Sequence, residues 1–245
     1  MTNMKSQNKL IKERTPKQTN RRNKESKPHY SNEFNTSFFK CEPTKLQKGV
    51  LSFFRQNEIS IITGEPGCGK DFVSLYFALE MLRAGSVERI LITKPIVEIG
   101  KSIGFLPGSE SEKYAPYEQS FIDNLQRIVG TYESNSLLNG KKISFQPINF
   151  VRGSTFRNSV VILSEAQNCT LHELVSFTTR VADDSKLLIN GDLLQADIKN
   201  SGFKKYIELF SNIEGIDYLE LGPEFQMRSK LIVDINRVYK EYLNK

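Results

Sequence analysis

The stretch "GEPGCGKD", residues 64–71, decides the fold. Its glycine spacing, followed by Lys70, is that of a nucleotide-phosphate loop, G-x-x-x-x-G-K-[ST]. The last position belongs to a Ser or Thr whose hydroxyl ligates magnesium, and here it is Asp71. Three readings are open at this point: a broken nucleotide site, a chance run of glycines, or a working site wired differently.

The flanking sequence supplies the context that the loop's chemistry requires. "EISIITG" (58–64) is a short β-branched run ending at glycine, the pattern of a buried strand. In "KDFVSLYFALEMLRAG" (70–85) the apolar residues Phe72, Val73, Tyr76, Phe77, Leu79 and Leu82 recur at near-helical spacing, with Gly85 as the stop. A strand, a glycine loop and a helix in that order present backbone N–H groups and the helix dipole to a phosphate. Gly64, Gly67 and Gly69 permit the close approach, with Glu65, Pro66 and Cys68 completing the cradle, and Lys70 reaches the β- and γ-phosphates. Further strands are expected at 88–95, 143–150, 159–166, 186–192 and 216–221, and helices at 117–132, 171–182 and 203–213. Short strands alternating with helices predict an α/β fold, a mostly parallel sheet covered on both faces.

A nucleotide hydrolase needs a second strand that ends in an acidic pair. "VVILSEAQN" (160–168) runs four apolar residues into Glu165, but Ser164 stands where Asp is usual. The phosphate loop therefore has a carboxylate where a hydroxyl belongs, and the second motif has a hydroxyl where a carboxylate belongs. The two side chains meet at the metal in ordinary sites of this kind. Exchanging them keeps one hydroxyl, one carboxylate and the same charge. We read this as a reciprocal swap, with Asp71 ligating Mg2+ directly and Ser164 in the supporting role. An unscreened carboxylate this close to the phosphates would repel them, so the swap implies steep magnesium dependence.

Composition sets the outer bounds. The 245 residues suffice for one α/β domain, with 38% hydrophobic and 25% charged residues. No apolar run approaches the roughly 18 residues of a spanning helix, and no apolar stretch follows the lysine-rich start, so the expectation is a cytoplasmic protein without a membrane segment. Cys41, Cys68 and Cys169 match no metal or disulfide spacing, and only His29 and His172 are histidines. The net charge of +6 is uneven: residues 1–40 hold ten Lys and Arg against three Glu, and residues 41–245 sum to −1. Residues 1–40, polar and nearly without aliphatics, are expected to form a disordered basic arm ahead of a domain spanning 41–245. Such an arm can hold a polyanion by releasing counterions, or it can serve only as a solubilising leader.

The blocks "IITGEPGCGKD", "RILITKPIVEIGKSIGFLPG", "VRGSTFRNSVVILSEAQN" and "LLINGDLLQADI" resemble, in order and spacing, those of the PhoH-like ATPase family over about residues 44–230. The resemblance implies a P-loop NTPase with a RecA-like core that binds ATP and Mg2+, in a family of bacteria and bacteriophages whose members often form homo-oligomeric rings. The short chain and irregular motifs suit a phage member. Besides Asp71 and Ser164, the sequence departs from the family pattern at Lys94, Asn190 and Ser154, where Arg, Thr or Ser, and Arg are usual.

Residue by residue, Glu165 is the candidate for polarising the attacking water. By resemblance Asp192 and Gln195 in "GDLLQ" sense the γ-phosphate or the water, at the strand end where ligands sit in an open parallel sheet. "NGD" also suits a tight turn. Gln47 in "PTKLQKG" lies upstream of the loop, where the resemblance to similar ATPases implies a glutamine amide that reads adenine; the alternative is a solvated helix residue. Arg152 in "FVRGST" and Arg228 in "FQMRSK" are candidates for neutralising transition-state charge, or are surface salt-bridge partners. The segment 101–117 reads as a long loop, and Lys94, Lys101 and Lys113 with Phe105, Tyr114 and Tyr117 are candidates for gripping RNA or single-stranded DNA; the alternative, preferred for Phe105 and not for the lysines, is that the aromatics pack on the core or on a neighbouring subunit. The leading reading is magnesium-dependent ATP hydrolysis coupled to nucleic acid. The alternative is a nucleotide-binding but hydrolysis-dead scaffold acting through the basic arm. A third possibility is RNA binding with ATP as a structural ligand.

Overall fold

The computed structural model describes residues 38–96, 110–151, 153 and 155–243, with the side chains of 110–117 and a few in the last helix left out. The arm up to residue 37, the "GFLPG" block with Lys101 and Phe105, and Arg152 and Ser154 therefore lie outside the described residues, as do the side chains of Lys113, Tyr114 and Tyr117.

Six strands form one sheet: β1 (Ile59–Gly64), β2 (Arg89–Lys94), β3 (Ile143–Pro147), β4 (Ser159–Leu163), β5 (Lys186–Gly191) and β6 (Ile216–Leu221). Every pairing is parallel and the order is β3-β2-β4-β5-β1-β6. Because side chains alternate across a strand, each central strand feeds two cores. Ile62, Ile90, Ile92, Val160, Ile162 and Leu188 face one layer, built by helices α1 (Lys45–Gln56), α2 (Lys70–Arg83), α3 (Glu110–Val129) and α4 (Thr131–Asn139). Ile61, Leu91, Val161, Leu163, Leu187 and Ile189 face the other, built by α5 (Leu171–Thr178) and α6 (Phe203–Phe210). A last helix, α7 (Lys230–Leu243), ends the described chain. Each of these aliphatics, nearly all fully buried, contributes about 1.5–3 kcal/mol of burial. The expected α/β architecture with helices on both faces is the one observed. Among the described residues no helix is long and apolar enough to cross a membrane.

Several boundaries differ from the sequence expectation for identifiable reasons. The helix expected at 117–132 begins at Glu110, so the second half of the expected 101–117 loop is helical, and it stops at Gly130, whose φ of +86° turns the chain into α4. The strand expected to reach residue 150 ends at Pro147, which has no N–H for the ladder, and a 3-10 turn follows. The strand expected to reach 166 ends at Leu163, because Glu165 adopts a left-handed backbone. The expected helices 171–182 and 203–213 are both shorter; α1 was foreshadowed only by the reading of Gln47 as a helix residue, and α7 was not expected.

The strand order positions the site. β5 lies between β1 and β4, with Leu163 beside Ile189 and Ile189 beside Ile61. The carboxyl ends of β4, β5 and β1 consequently stand in a row, and the turns that leave them share one crevice.

Candidate active site

The crevice at these strand ends is a cleft of about 440 Å³. From the phosphate loop and its helix it takes Pro66, Gly67, Gly69, Lys70 and Asp71. From β4 and β5 it takes Ser164, Glu165, Asn190, Asp192 and Gln195, and from the chain termini of the domain Gln47 and Arg228. Gly64, Glu65 and Cys68 belong to the same loop but do not line the cleft wall. Of the residues nominated from sequence as catalytic or cofactor-binding, Arg152 alone falls outside the described residues.

β1 delivers the loop and α2 starts at its last glycine, Gly69, which has no side-chain cap. The helix amino end is thus left facing the cleft. The Lys70 ammonium folds back to donate to the carbonyls of Gly64 (2.7 Å) and Glu65 (3.1 Å). Cys68 turns its thiol onto the Glu65 carbonyl, and burial pushes its pKa up, so it remains a packed thiol beside the loop.

At the floor, Ser164 donates its hydroxyl to the Asp71 carboxylate, Oγ standing 3.0 Å from each oxygen. Asn190 Nδ2 donates to Asp71 Oδ1 at 2.8 Å, and the fully buried Ser74 fixes that amide by donating to Asn190 Oδ1 at 3.0 Å. The contact that the swap requires is therefore present. Burial raises the Asp71 pKa, and the nearby Glu165 carboxylate adds to the effect against the Asn190 and Ser164 hydrogen bonds and the Lys94 charge. A carboxylate and a hydroxyl in contact, both on the cleft wall, are hard oxygen donors of the kind Mg2+ takes, so these residues fit that ion. Among the described residues there is no separate cluster of three or more His, Cys, Asp or Glu side chains suited to a metal.

Glu165 leaves β4 with φ +57°, a conformation uncommon outside glycine and often found at functional sites. Its carboxylate accepts from Gln167 Nε2 at 2.6 Å, while Lys94 Nζ stands 3.9 Å from its other oxygen. The other end of the Gln167 amide accepts from the Asp192 N–H at 3.0 Å. Asn168 clasps Asp197 in the same manner, donating to its carboxylate and accepting from its N–H, each at 2.8 Å. Two consecutive amides thus tie the turn after β4 to the turn after β5. Asp192 is nearly buried and accepts from the Leu194 N–H, a turn contact, while the Gln195 side chain is exposed.

Gln47 is not a solvated helix residue. It is buried, its Oε1 caps the Thr44 N–H at the start of α1, and its Nε2 points at the Met227 sulfur 3.5 Å away. Sequence reasoning gave no role to Gln167, Asn168, Gln226 or Met227. The first two stand inside the quoted "SEAQN", where paired amides after an acidic strand end are a usable signal. Gln226 and Met227 carry no such signal.

The sequence profile described as "PhoH-like protein" matches residues 41–240. The chain is 36% identical over 192 residues to Protein PhoH of Escherichia coli (strain K12), an alignment covering 76% of this chain and 54% of that protein. It is 33% identical over 199 residues to a PhoH-like protein of Bacillus subtilis (strain 168), covering 80% of this chain and 62% of that one. The chain thus spans little more than half the length of these curated relatives. Among solved structures, the large terminase from a thermophilic bacteriophage matches with a TM-score of 0.49 at 13% identity, covering 80% of this chain and 50% of that chain. With a phosphate loop at the head of α2, a carboxylate-bearing turn beside it, and a profile match over residues 41–240, the chain belongs to the PhoH-like protein family.

Proposed function

We propose that the protein binds ATP with Mg2+ in this cleft and hydrolyses it. The observation that carries the reading is the convergence of Lys70, the Asp71–Ser164 pair and Glu165 on one cavity at the carboxyl edge of a parallel sheet. Lys70, anchored on two loop carbonyls, has its charge already delivered to the loop before substrate arrives and reaches the β- and γ-phosphate oxygens from there. Glu165, with one oxygen anchored by Gln167 and the other facing Lys94 across a long 3.9 Å ion pair, is held to orient the attacking water. Asp71 and Ser164 would hold Mg2+, which supplies charge neutralisation for the phosphates when bound. Arg228 is exposed at the cleft wall beside Gly67 and serves as the cation for charge developing in the transition state.

The basic residues 1–40 support coupling to RNA or single-stranded DNA. The same reading makes the protein a cytoplasmic ATPase that works as a homo-oligomer, with a ring as the assembly implied by the resemblance.

The deciding experiment is ATP hydrolysis by the purified chain across a magnesium titration, beside Glu165→Gln. Turnover that requires magnesium and disappears in the variant supports the hydrolase. Nucleotide binding without turnover above Glu165→Gln replaces it with a nucleotide-binding scaffold. Stimulation by single-stranded RNA or DNA that is lost on deleting residues 1–40 supports the coupling, and no stimulation refutes it.

A further inference from the structure

The C-terminal segment Gln226–Met227–Arg228 lies across the phosphate loop, about 160 residues away in sequence. Gln226 Nε2 donates to the Pro66 carbonyl at 3.1 Å, and the Met227 N–H donates to the Gly67 carbonyl at 3.1 Å. Gln226 Oε1 in turn accepts from the Arg228 N–H at 3.2 Å, so one side chain staples the loop to the strap that presents Arg228. Gly67 has φ +94°, and a Cβ there would come within 2.5 Å of Gln226 Oε1 and 2.7 Å of Arg228 Cγ. The loop is therefore glycine at a position where the strap rests on it.

We propose that Gln226 is a positioning residue that sets the direction of the phosphate-binding amides, a role that rests on the nucleotide-binding reading above. The argument follows from the planarity of the peptide unit, in which C=O and N–H point in opposite directions. Lys70 takes the Gly64 and Glu65 carbonyls, and the strap takes those of Pro66 and Gly67. Pro66 has no N–H and that of Cys68 donates to the Glu65 carbonyl at 3.3 Å, so the peptide that Gln226 holds by the Pro66 carbonyl is the one whose N–H, that of Gly67, is turned away from the strap. An unheld carbonyl in this loop would be free to rotate toward an incoming phosphate and repel it. Gln226 holds a carbonyl that Lys70 does not reach and, by the same amide, aligns Arg228.

The test is the affinity for a fluorescent ATP analogue, measured in the full chain for Gln226→Lys, Gln226→Met and Gln226→Glu, with thermal unfolding of the nucleotide-free proteins alongside. Losing one hydrogen bond to a loop that organises a charged ligand is expected to weaken binding about tenfold for Gln226→Met. Gln226→Glu is expected to lose more, because it sets a carboxylate against a carbonyl. Gln226→Lys keeps a donor and is expected to recover most of the affinity, with unfolding temperatures in all three near that of the wild type. Equal affinity in all three variants, or affinity and unfolding temperature falling together regardless of donor, overturns the role. A wild-type chain that binds no nucleotide removes the nucleotide reading itself, a distinct result from a wild type that binds and variants that match it.

Discussion

Exchanging residues 71 and 164 back to the ordinary arrangement is the sharpest perturbation that the cleft offers. Asp71→Thr alone removes the carboxylate that touches Ser164 and leaves Asn190 Nδ2 without this acceptor. Ser164→Asp alone puts a second carboxylate where the hydroxyl now lies 3.0 Å from both Asp71 oxygens. Two unit charges about 4 Å apart at an effective dielectric near 20 repel by about 4 kcal/mol. Each single variant should therefore lose about 100-fold or more in kcat/KM for ATP, corresponding to roughly 2.7 kcal/mol. If the positions were independent, the double variant would lose about 10⁴-fold.

A reciprocal swap predicts otherwise. Asp71→Thr with Ser164→Asp restores one hydroxyl and one carboxylate in contact, so the double variant should stay within about tenfold of the wild type. The coupling is then of order 4 kcal/mol, comparable to the repulsion that the pairing relieves. Steady-state hydrolysis at several magnesium concentrations reads both kcat/KM and the half-saturating metal level. A double variant no better than the worse single would refute the reasoning.

Two other predictions bear on the scaffold of the site. Gln167→Leu removes the amide that joins Glu165 to the Asp192 backbone; hydrolysis should fall by about 10–100-fold with nucleotide affinity within about threefold of wild type, and an equal loss in both would assign Gln167 to binding instead. Lys186 donates to the carbonyls of Phe54, Arg55 and Asn57 at the end of α1, and burial lowers its pKa from the ordinary 10.5. The unfolded chain therefore binds more protons between the lowered value and 10.5, and the folded state gains stability as pH rises through that window. Denaturant unfolding of wild type against Lys186→Met should show this gain only in the wild type, and parallel pH profiles would contradict it.

The strands and the phosphate loop were legible in sequence because their signals are local. β-branched runs set β1, β4 and β5, and the glycine spacing set the turn into α2. The reciprocal contact of Asp71 and Ser164 was also legible, since two compensating departures at motif positions point to one place in space. α1 does carry local signals, Thr44 and Gln47 at capping spacing and Val50, Leu51 and Phe54 at helical spacing, which the sequence reading passed over. α7 likewise has apolar residues at helical spacing that the reading passed over, although Leu231, Ile235 and Val238 remain exposed among the described residues. What escaped for want of a signal depends on contacts far apart in sequence. Gln226 has no local signature at all, and its partner is fixed only when β6 brings the chain back beside β1.

Asn190 completes the logic of the rewired floor. A carboxylate moved into the phosphate loop needs hydrogen-bond donors to fix it, and a lysine or arginine in that role would neutralise the charge that a divalent cation is meant to meet. The structure instead supplies two neutral donors, the Ser164 hydroxyl and the Asn190 amide. The Asn190 amide reaches one bond farther from Cβ than the hydroxyl of a Ser or Thr at that position, and Ser74 locks its orientation from within the core. Three departures from the family pattern, at 71, 164 and 190, thus form one hydrogen-bonded unit. Damage scattered by relaxed selection would not be expected to fall on three residues that bond to one another and leave Lys70 and Glu165 in place. The arrangement fits the proposed reading, in which the site is reorganised around the Asp71 carboxylate.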